Sequence, residues 1–584
     1  MFSLLRWPLI LGIILFNVAQ SNAKEKDSFY EELFLKPLTS GHLYAYFQFT
    51  TLWDTESSLH TLRHTHLFPR ALGEIIGRHD VDEMHVTLTE GLWNYEKWGY
   101  PHYDAGTGAE VFAWFNKNVT NVDDSWKSFT NALAGLICAS LNFVGPSNSI
   151  SPVLTFSPTG ALKDTVNFSH FRYSSLPREI VCTENLTPFK KLLPCDAKKG
   201  LATLLNSVHI HNTHYHSLGI HFRSVCQNSG CTRTSLELRQ TISLVYDAMS
   251  DTAQDWSVRR LFGMGIKGAC PLASSSKVYV DVTTNGTSYT YSLSPPSNTT
   301  IISLRGGQRN EIVVYDVNFH SRRGMFSVAL SSNTPRESLI NIPTILFVNR
   351  YLNGYGQEKG SIITSLHNNH WQPLHVVILQ NIPWYLSVYM HTMKITCNGK
   401  TFSPLVQKYV PGRQRMRPHQ LELIVSLPPH SITKISIDLE YSFLKWQEYP
   451  PDANHGFYMG PAIITALLPI ARNYTALPLD GSTITSCFNA SRDGYLVQLR
   501  TESLLISLPT PDFSMPYNVI CLACTAVALA FGPLHNISTK RLLLRRVKGD
   551  WKKKIISVVK SCLTRKSEKW RTRDEGKWRP CLLS

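Results

Sequence analysis

Alternating apolar and polar residues dominate the first 510 positions of the chain and predict β-strands there. The segments YAYFQFTT (44–51) and HVTLTEGLW follow this two-residue period, which places every second side chain on one face of a sheet. Further strand-like runs, each bounded by Gly, Pro, Asn or Ser, are EIVVYDV, MFSVAL, HVVILQNI, WYLSVYMHTMKITC, LELIVSL, SITKISIDLEYSF and GYLVQLR. Many short strands at this spacing favour a sandwich architecture.

A tight hairpin is predicted within KVYVDVTTNGTSYTYSL (277–293). Alternating Val and Tyr residues flank Asn285-Gly286, and this residue pair suits the two positive φ positions of a type I′ turn. We therefore expect the two arms of this segment to pair with each other.

Two segments have apolar residues at the three- and four-residue steps that are typical of amphipathic helices. Residues 124–141 form the first, with Asp123 or Asp124 near its start, and residues 235–249 form the second. Residues 256–262 continue the helical character until Pro271 stops it. Because the texture becomes strand-rich after Pro271, we expect a domain boundary near residue 272.

One stretch near the C-terminus is apolar enough to cross a bilayer. No charged side chain occurs between Asp512 and Lys540, a gap of 27 residues, which covers roughly 30 Å of hydrocarbon as a helix. Gly532-Pro533 shortens the apolar run, so we expect residues 515–518 to join the helix on its entry side. The predicted transmembrane segment is 511–536.

The N-terminus and the charge distribution predict the topology. Residues 1–23 combine Arg6, an apolar stretch and the small residues Ser21 and Ala23, as in a cleavable signal peptide. Residues 537–584 hold +12 of the formal net charge of +16, and residues 24–539 hold only +3. The nearly neutral body argues against nucleic-acid binding, and the basic tail is expected in the cytosol.

These signals predict a type I membrane protein that is mainly β with some α, in which two β-sandwich-like luminal domains precede one transmembrane helix. The predicted divisions are a signal peptide (1–23), a mixed but strand-rich first luminal domain (24–271), a β-sandwich-like second luminal domain (272–510), the transmembrane segment (511–536) and a basic cytosolic tail (537–584). Residues 551–565 of the tail are predicted to form a helix that lies on an anionic leaflet, with a solvated tail as the alternative.

Cysteines and sequons agree with an oxidising compartment. Eight of the twelve cysteines precede the span: Cys138, Cys182, Cys195, Cys226, Cys231, Cys270, Cys397 and Cys487. Cys226 and Cys231 are close enough for a local disulfide, although spacing leaves the pairing open. Seven sequons predict glycosylation, at Asn118, Asn167, Asn185, Asn285, Asn298, Asn473 and Asn489.

A histidine-rich segment is the strongest candidate for a metal site. Its five histidines are His209, His211, His214, His216 and His221. Alternate histidines on a strand share one face, and imidazole suits zinc. Carboxylates and cysteines are absent from the segment, however, so an exposed or interface strand is the favoured alternative. We predict no metal and no cofactor.

Other short motifs carry little weight. Gly263, Gly265 and Gly268 match a dinucleotide fingerprint, but they follow a helical pattern rather than a strand. The terminal CLLS resembles a prenylation signal at Cys581. Neither G-x-S-x-G nor H-E-x-x-H occurs in the sequence, so no catalytic constellation is visible.

Longer blocks of sequence resemble one family, the PIG-T component of glycosylphosphatidylinositol (GPI) transamidase. These blocks are GLWNYEKWGYP (from Gly91), ICASLNF (from Ile137), LPREIVCTENLTPFKKLLPC (from Leu176), LELRQT (from Leu236), NGYGQEKG (from Asn353), IPWYLSVYMHT (from Ile382), PDANHGFY (from Pro451) and LPTPDFSMPYNVICL (from Leu508). The resemblance covers about residues 28–530, and the basic tail after Asn536 lies outside it.

The resemblance implies a non-catalytic scaffold subunit of an endoplasmic-reticulum membrane complex that joins GPI lipids to proprotein C-termini. Its implied partners are a caspase-like catalytic subunit, the other transamidase subunits, the GPI lipid and the proprotein substrates. In the family a disulfide links this component to the catalytic subunit, and Cys182 matches that cysteine. From the residues alone, an internal bond between Cys182 and Cys195 is slightly favoured instead.

Four residues lie where the lumen is expected to meet the bilayer: Asp512, Ser514, Tyr517 and Asn518. They are candidates for hydrogen bonds to a GPI head group, and a purely anchoring role, with Tyr517 as an interfacial aromatic residue, is the alternative. Two other classes of function stay open: a luminal metal-dependent enzyme that uses the segment 209–221, and a type I glycoprotein of the cell surface.

Overall fold

The structure is a computed structural model that describes most of the chain up to residue 568. The described residues are 27–38, 41–54, 62, 66–159, 161, 167–196, 198–227, 231, 234–247, 256–283, 291–297, 299–303, 310–332, 343–354, 358–450, 452–469, 495–510, 512, 514–540 and 551–568. The chain divides into two compact units, one ending at Thr510 and one beginning at Pro511. The predicted signal peptide, 1–23, lies outside the described residues.

The first fourteen strands build a large sheet and a small one. In chain order they are β1 Ser28–Pro37, β2 Leu43–Trp53, β3 Val81–Glu90, β4 Gly108–Phe115, β5 Ser149–Ile150, β6 Phe171–Leu176, β7 Tyr215–Cys226, β8 Thr234–Tyr246, β9 Trp256–Ser257, β10 Ser275–Asp281, β11 Tyr291–Ser294, β12 Thr300–Ser303, β13 Asn310–Asp316 and β14 Ala329–Ser332. The large sheet has the order β12-β13-β10-β1-β2-β8-β7-β3-β4-β6-β5, and the small one has the order β11-β14-β9. Within the large sheet β1 and β10 are parallel, whereas the other neighbours are antiparallel.

Seven α-helices accompany these strands in the described part of the first unit. They are α1 Arg70–Arg78, α2 Tyr95–Trp98, α3 Val122–Ile137, α4 Thr183–Lys191, α5 Ser207–His211, α6 Val258–Phe262 and α7 Val317–His320. Short 3₁₀ turns lie at Leu141–Phe143, Phe168–His170, Leu201–Leu204, Ser321–Arg323, Trp446–Glu448 and Ala453–His455. The predicted helix at 124–141 is confirmed as α3, which buries Trp126, Phe129, Leu133 and Ile137 at helical spacing.

Both faces of the large sheet are buried. Leu33, Leu35 and Phe47 share one hydrophobic cluster with residues of α1, α3 and α4. Their neighbours Phe34 and Tyr46 belong to a second cluster, which extends into the later strands. The alternation along β1 and β2 therefore separates two cores. The first predicted domain is one mixed sheet with most of its helices on one face, whereas the short helix α2 packs in the second cluster.

The prediction of a helix at 235–249 is wrong, because residues 235–246 lie in strand β8. Residues 248 and 249 lie outside the described residues. Every residue of β8 after Thr234 is buried, and Leu236, Leu238 and Ile242 share the helix-covered cluster at even positions. Leu, Glu, Arg and Gln all favour helices, and this composition obscured the two-residue period. Hydrogen bonding to β2 on one side and β7 on the other overrides that local preference.

The hairpin predicted at 277–293 is also wrong. Strand β10 pairs with β1 and β13, whereas β11 pairs with β14 in the small sheet. The Asn285-Gly286 turn lies outside the described residues. Because β10, β12 and β13 belong to the same sheet as β1, the sheet continues past the boundary predicted at residue 272.

Two five-stranded sheets follow. Their strands, with two short ones, are β15 Leu346–Asn353, β16 Lys359–Asn368, β17 Leu374–Ile382, β18 Leu386–Cys397, β19 Lys400–Phe402, β20 Val406–Val410, β21 His419–Leu427, β22 Ser431–Tyr441, β23 Phe457–Met459, β24 Ile463–Leu468, β25 Tyr495–Arg500 and β26 Leu504–Ile506. The sheets have the orders β15-β16-β22-β18-β19 and β20-β21-β17-β24-β25, and β23 pairs with β26.

The two five-stranded sheets share one hydrophobic cluster, as in a β-sandwich. Strand β22 shows the expected alternation, because Ile435, Ile437 and Leu439 are buried between more exposed residues. Leu421, Leu423 and Val425 contribute from β21 in the opposite sheet. The prediction of a mainly β chain with a sandwich in its second half is confirmed.

A buried carboxylate joins the sandwich to the first part of the chain. Glu422 on β21 is fully buried, and its oxygens accept hydrogen bonds from the backbone N–H groups of Val153, Leu154 and Thr155 at 3.0–3.2 Å. The Thr155 hydroxyl donates a further bond at 3.0 Å. A carboxylate that accepts several backbone bonds holds a loop firmly, so the loop at 153–155 is anchored to the sandwich.

The second unit contains two helices among its described residues, α8 Ser514–Thr539 and α9 Trp551–Glu568. The tail helix predicted at 551–565 is confirmed as α9. Helix α8 begins at Ser514, so residues 515–518 join it on the entry side as expected, and it continues through Pro533 to Thr539. A proline inside a helix removes one backbone bond, and the helix resumes beyond it.

Candidate functional site

Cys182 stands at the N-terminus of helix α4 and carries a free, partly exposed thiol. It is the N-cap residue, with extended backbone angles of φ −136° and ψ −179°. Its backbone N–H donates to Asn185 Oδ1 at 2.8 Å, as in a capping arrangement that satisfies an otherwise unpaired donor. The backbone that bears the thiol is therefore held in place.

Asn185 connects this cap to the end of helix α3. Its side-chain amide donates to the carbonyl oxygens of Ile137 at 3.2 Å and Cys138 at 2.8 Å. The side chain is only 2% exposed, so all three of its bonds are buried or partly buried. Asn185 thus joins two helix termini, each of which presents an unpaired cysteine.

The disulfides of the structure bear on the internal pairings that the sequence left open. Cys195 forms a disulfide with Cys270, with their Cα atoms 6.0 Å apart. The alternative bond between Cys182 and Cys195 is therefore not formed. Cys226 and Cys231 are joined by a disulfide with a Cα separation of 4.8 Å.

Among the described residues before 510, three cysteines form no disulfide: Cys138, Cys182 and Cys397. Cys397 is buried, whereas Cys138 is exposed and follows α3 in the left-handed conformation, with φ 55°. Cys487 lies outside the described residues. Within the described part of the first unit, Cys138 and Cys182 are thus the free thiols that reach the surface.

The predicted glycosylation sites divide into three groups. Asn118 and Asn167 are exposed, as attachment of a glycan requires. Asn185 is buried and uses its amide nitrogen in the two bonds described above, so its folded position conflicts with the glycan expected there. Asn285, Asn298, Asn473 and Asn489 lie outside the described residues.

The five histidines of segment 209–221 do not form one site. His209 and His211 belong to the short helix α5, His214 lies in the following turn, and His216 and His221 lie on β7. His216 and His221 are five residues apart, and an odd separation on a strand puts side chains on opposite faces. The expectation that period-two histidines share a face is therefore wrong.

The buried His221 is instead within hydrogen-bonding distance of another buried histidine, His85. His221 Nδ1 lies 3.0 Å from His85 Nδ1, and His85 Nε2 lies 2.9 Å from Glu83 Oε1. Burial, followed by the charge of His85, holds the pKa of His221 well below its ordinary value. Burial also lowers the pKa of His216 to about 4. Both imidazoles are therefore neutral at pH 7.

A different set of ligands comes together near this segment. His42, His214 and Asp247 each offer one ligand atom, and these atoms lie within 4.8 Å of one another. Among the described residues, these three side chains form the group that could hold a metal ion. His214 and Asp247 are exposed, and the sequence offered no signal for the group, since 172 residues separate His42 from His214.

Helix α8 has the length and composition of a membrane span. Its 26 residues include no Asp, Glu, Lys or Arg, and none of them is buried. At 1.5 Å per residue, the helix is about 39 Å long, which exceeds the roughly 30 Å hydrocarbon layer.

The candidate lipid-contacting residues lie at the start of this helix. Asp512 Oδ1 accepts a hydrogen bond from the backbone N–H of Ser514 at 2.9 Å, which caps the N-terminus. Ser514, Tyr517 and Asn518 follow at helical steps of three and four residues, which put them on one side. Tyr517 is 52% exposed.

The fold and the site together describe a mainly β protein with internal disulfides, a surface thiol and one apolar helix long enough to span a membrane. The sequence matches the Gpi16 family, described as "Gpi16 subunit, GPI transamidase component", over residues 12–254 and 248–563. The chain belongs to this family, and it is a non-catalytic component of GPI transamidase.

Individual relatives agree with this assignment. The chain is 43% identical over 549 residues to the human "GPI-anchor transamidase component PIGT", covering 92% of this chain and 94% of that protein. It is 30% identical to the "GPI transamidase component PIG-T homolog" of Schizosaccharomyces pombe, with coverages of 92% and 95%. It is 28% identical to the "GPI transamidase component GPI16" of Saccharomyces cerevisiae, with 88% of both chains covered.

Proposed function

We propose that this chain is the scaffold subunit of the endoplasmic-reticulum GPI transamidase and holds the caspase-like catalytic subunit through a disulfide from Cys182. The observation that carries the proposal is the state of that thiol. Cys182 is free and partly exposed, whereas the cysteine that competed for it, Cys195, is bonded to Cys270. A surface thiol that has no disulfide partner among the described cysteines is available for a bond between chains.

The surroundings of Cys182 support this role. The hydrogen bonds of Asn185 attach the α4 N-terminus to the end of α3, and Leu186 and Phe189 bury the same helix in the core. A covalent bond made from a rigid position fixes the orientation of the attached subunit, because little backbone freedom remains to be lost. The scaffold would thus position its partner as well as retain it.

The proposed location is the endoplasmic-reticulum membrane, with the first unit in the lumen. The predicted signal peptide, the apolar helix α8 and the basic residues beyond it support a single-pass type I topology. The two disulfides fit an oxidising lumen.

The start of α8 is proposed to contact the GPI head group through Asp512, Ser514, Tyr517 and Asn518. The single-sided placement of the last three residues supports this role, since their polar groups would face one ligand. A lipid that arrives with its acyl chains in the bilayer would carry its head group to this depth. The proprotein and the remaining subunits complete the proposed partners.

The disulfide is tested on a non-reducing gel of microsomes that express either the unaltered chain or Cys182→Ser. The unaltered chain should run as a larger species that contains the caspase-like subunit and disappears on reduction, and Cys182→Ser should lack it. Cys138→Ser is the matched control, because Cys138 is also free, exposed and at a helix terminus; it should keep the larger species. If Cys182→Ser leaves that species unchanged, the attachment proposal is wrong.

A further inference from the structure

Three large apolar side chains are strongly exposed at one end of the sandwich. Phe443 is 82% exposed, Met416 is 59% exposed and Trp446 is 43% exposed. They lie in two loops, residues 411–418 between β20 and β21 and residues 442–449 after β22. Single exposed apolar residues are common on protein surfaces, whereas several together mark a contact surface.

The two loops form one surface because side chains connect them. The guanidinium of Arg415 in the first loop pairs with the carboxylate of Glu448 in the second, with Nη2 2.9 Å from Oε2. The same guanidinium lies 5.1 Å from the centre of the Trp384 ring. The second loop is also bonded to the β17–β18 turn, since the backbone N–H of Ser442 donates to the carbonyl of Tyr385 at 3.1 Å.

Basic residues surround the exposed apolar ones. The two loops carry Arg413, Arg415, Arg417 and Lys445, whereas Glu448 is their single acidic residue. Glu448 is already paired with Arg415. We call Met416, Phe443 and Trp446, together with these four cations, the Phe443 surface. It combines apolar tips with a net positive charge, which is the chemistry of a phospholipid interface.

The Phe443 surface lies at the end of the sandwich from which the chain leaves for helix α8. Strands β17, β22 and β25 run in the same direction and end at Ile382, Tyr441 and Arg500. The side chain of Tyr449, in the second loop, donates a hydrogen bond to the carbonyl of Pro509. The loop is therefore fixed to the last residues before the apolar helix.

The length of the chain limits how far this loop can be from lipid. Ser514, the first residue of α8, is five positions after Pro509, and these five steps of chain span at most about 18 Å when fully extended. The headgroup layer itself is several ångströms thick on each side of the hydrocarbon. A surface fixed to Pro509 is therefore within reach of the headgroups of the membrane that α8 enters.

We propose that the Phe443 surface rests on the phospholipid–water interface of the membrane that α8 spans. Phe443, Trp446 and Met416 enter the boundary between headgroups and acyl chains, where amphipathic and apolar side chains gain most from burial. Arg413, Arg417 and Lys445 pair with lipid phosphates, while Arg415 stays paired with Glu448. This second contact, in addition to the helix, sets the tilt of the first unit relative to the bilayer. The inference goes beyond the proposed function and does not depend on the Cys182 disulfide.

The contact is tested by photo-crosslinking of the full chain in microsomes. The photoreactive residue p-benzoylphenylalanine replaces Phe443 in one variant and Trp446 in another, and the phospholipids carry a clickable acyl chain. The matched control replaces Trp371, which is 64% exposed and lies at the opposite end of the sandwich, just before β17 begins. Lipid adducts are expected at 443 and 446 and absent at 371.

Two results would overturn the proposal. One is the absence of lipid adducts at 443 and 446, and the other is the formation of protein adducts alone at these positions, which would identify the surface as a subunit interface. A non-reducing gel checks separately that each variant folds. A folded variant should keep the Cys195–Cys270 disulfide.

The charged part of the surface has its own test. Arg413→Glu, Arg417→Glu and Lys445→Glu together should reduce the lipid adduct at position 443 several-fold, while Arg415 is left to hold Glu448. The control variant combines Lys400→Glu and Lys434→Glu, which are exposed on β19 and β22 toward the other end of the sandwich. An adduct yield that falls equally in both variants, or in neither, contradicts pairing of these cations with phosphate.

Discussion

Arg500 and Glu110 form a buried ion pair, although 390 residues separate them in the chain. Arg500 Nη2 lies 2.6 Å from Glu110 Oε1, Nε lies 3.2 Å from Oε2, and the side chains are 3% and 2% exposed. The backbone N–H of Arg500 also donates to Asp104 at 2.9 Å and to the Tyr95 hydroxyl at 2.8 Å. The last strand of the sandwich is thus fastened to the large sheet.

Glu110→Gln should destabilise the first unit strongly, because it leaves the buried guanidinium without its bidentate partner. Breaking a buried pair from one side costs about 3–5 kcal/mol. The urea midpoint of the full chain in detergent, followed by tryptophan fluorescence, measures the loss. Glu74→Gln, in the exposed Arg70–Glu74 pair, is the control and should change stability by at most about 0.5 kcal/mol. If the two substitutions lower the free energy of unfolding equally, the buried pair contributes no more to stability than the exposed one.

Glu31→Gln should make stability less dependent on pH. Burial raises the pKa of Glu31 from 4.5 to about 7, and Oε1 has no hydrogen-bond partner. A raised folded-state pKa means that the stabilising contribution is complete below pH 4.5 and is lost as the pH rises toward 7 and above. The shift corresponds to roughly 3 kcal/mol.

The measurement for Glu31 is the thermal midpoint of both proteins at pH 5 and pH 7.5. The unaltered chain should lose more stability between the two values than Glu31→Gln does. Some dependence will remain in the variant, because burial also raises the pKa of Asp104 to about 7. If both proteins lose the same amount, Glu31 is not protonated in the folded chain.

The sequon at Asn185 should carry no glycan in the folded protein. A glycan would prevent the Asn185 amide from entering its buried position between α3 and α4. Thr187→Ala removes this sequon without changing Asn185, and Thr187 itself is exposed. Its mobility after expression in microsomes should equal that of the unaltered chain.

Thr120→Ala is the matched control for this experiment, since it removes the exposed sequon at Asn118. This variant should migrate faster by one glycan, and endoglycosidase treatment should abolish the difference. Faster migration of Thr187→Ala would mean that Asn185 is glycosylated after all.

Asn518→Ala should reduce GPI attachment about fivefold if the start of α8 binds the head group, since one lost hydrogen bond costs about 1 kcal/mol. Attachment to a reporter proprotein and co-purification of the subunits are measured together. Val519→Ala changes a neighbouring exposed residue without removing a polar group and should have no effect. Normal attachment in Asn518→Ala, with assembly intact, argues for a purely anchoring role.

The local pattern by itself determined the mainly β class, helix α3 and the apolar helix α8. Strand β22 alternates clearly and α8 lacks charged side chains. Both properties can be read from neighbouring residues in the sequence alone. The same local logic misread β8, whose leucines and long polar residues suit a helix until β2 and β7 supply hydrogen bonds on both sides.

The tertiary structure alone decided which distant residues meet. Cys195 and Cys270 are 75 positions apart, and no spacing rule selects that pairing over a bond to Cys182. The sequence around Asn185 predicts a glycan, whereas in the structure Asn185 is buried and its side chain hydrogen-bonds to the backbone of Cys182 and Cys138. Arg500 and Glu110 likewise meet only because the sandwich packs against the large sheet. Such contacts depend on how sheets stack, and local propensity does not encode that stacking.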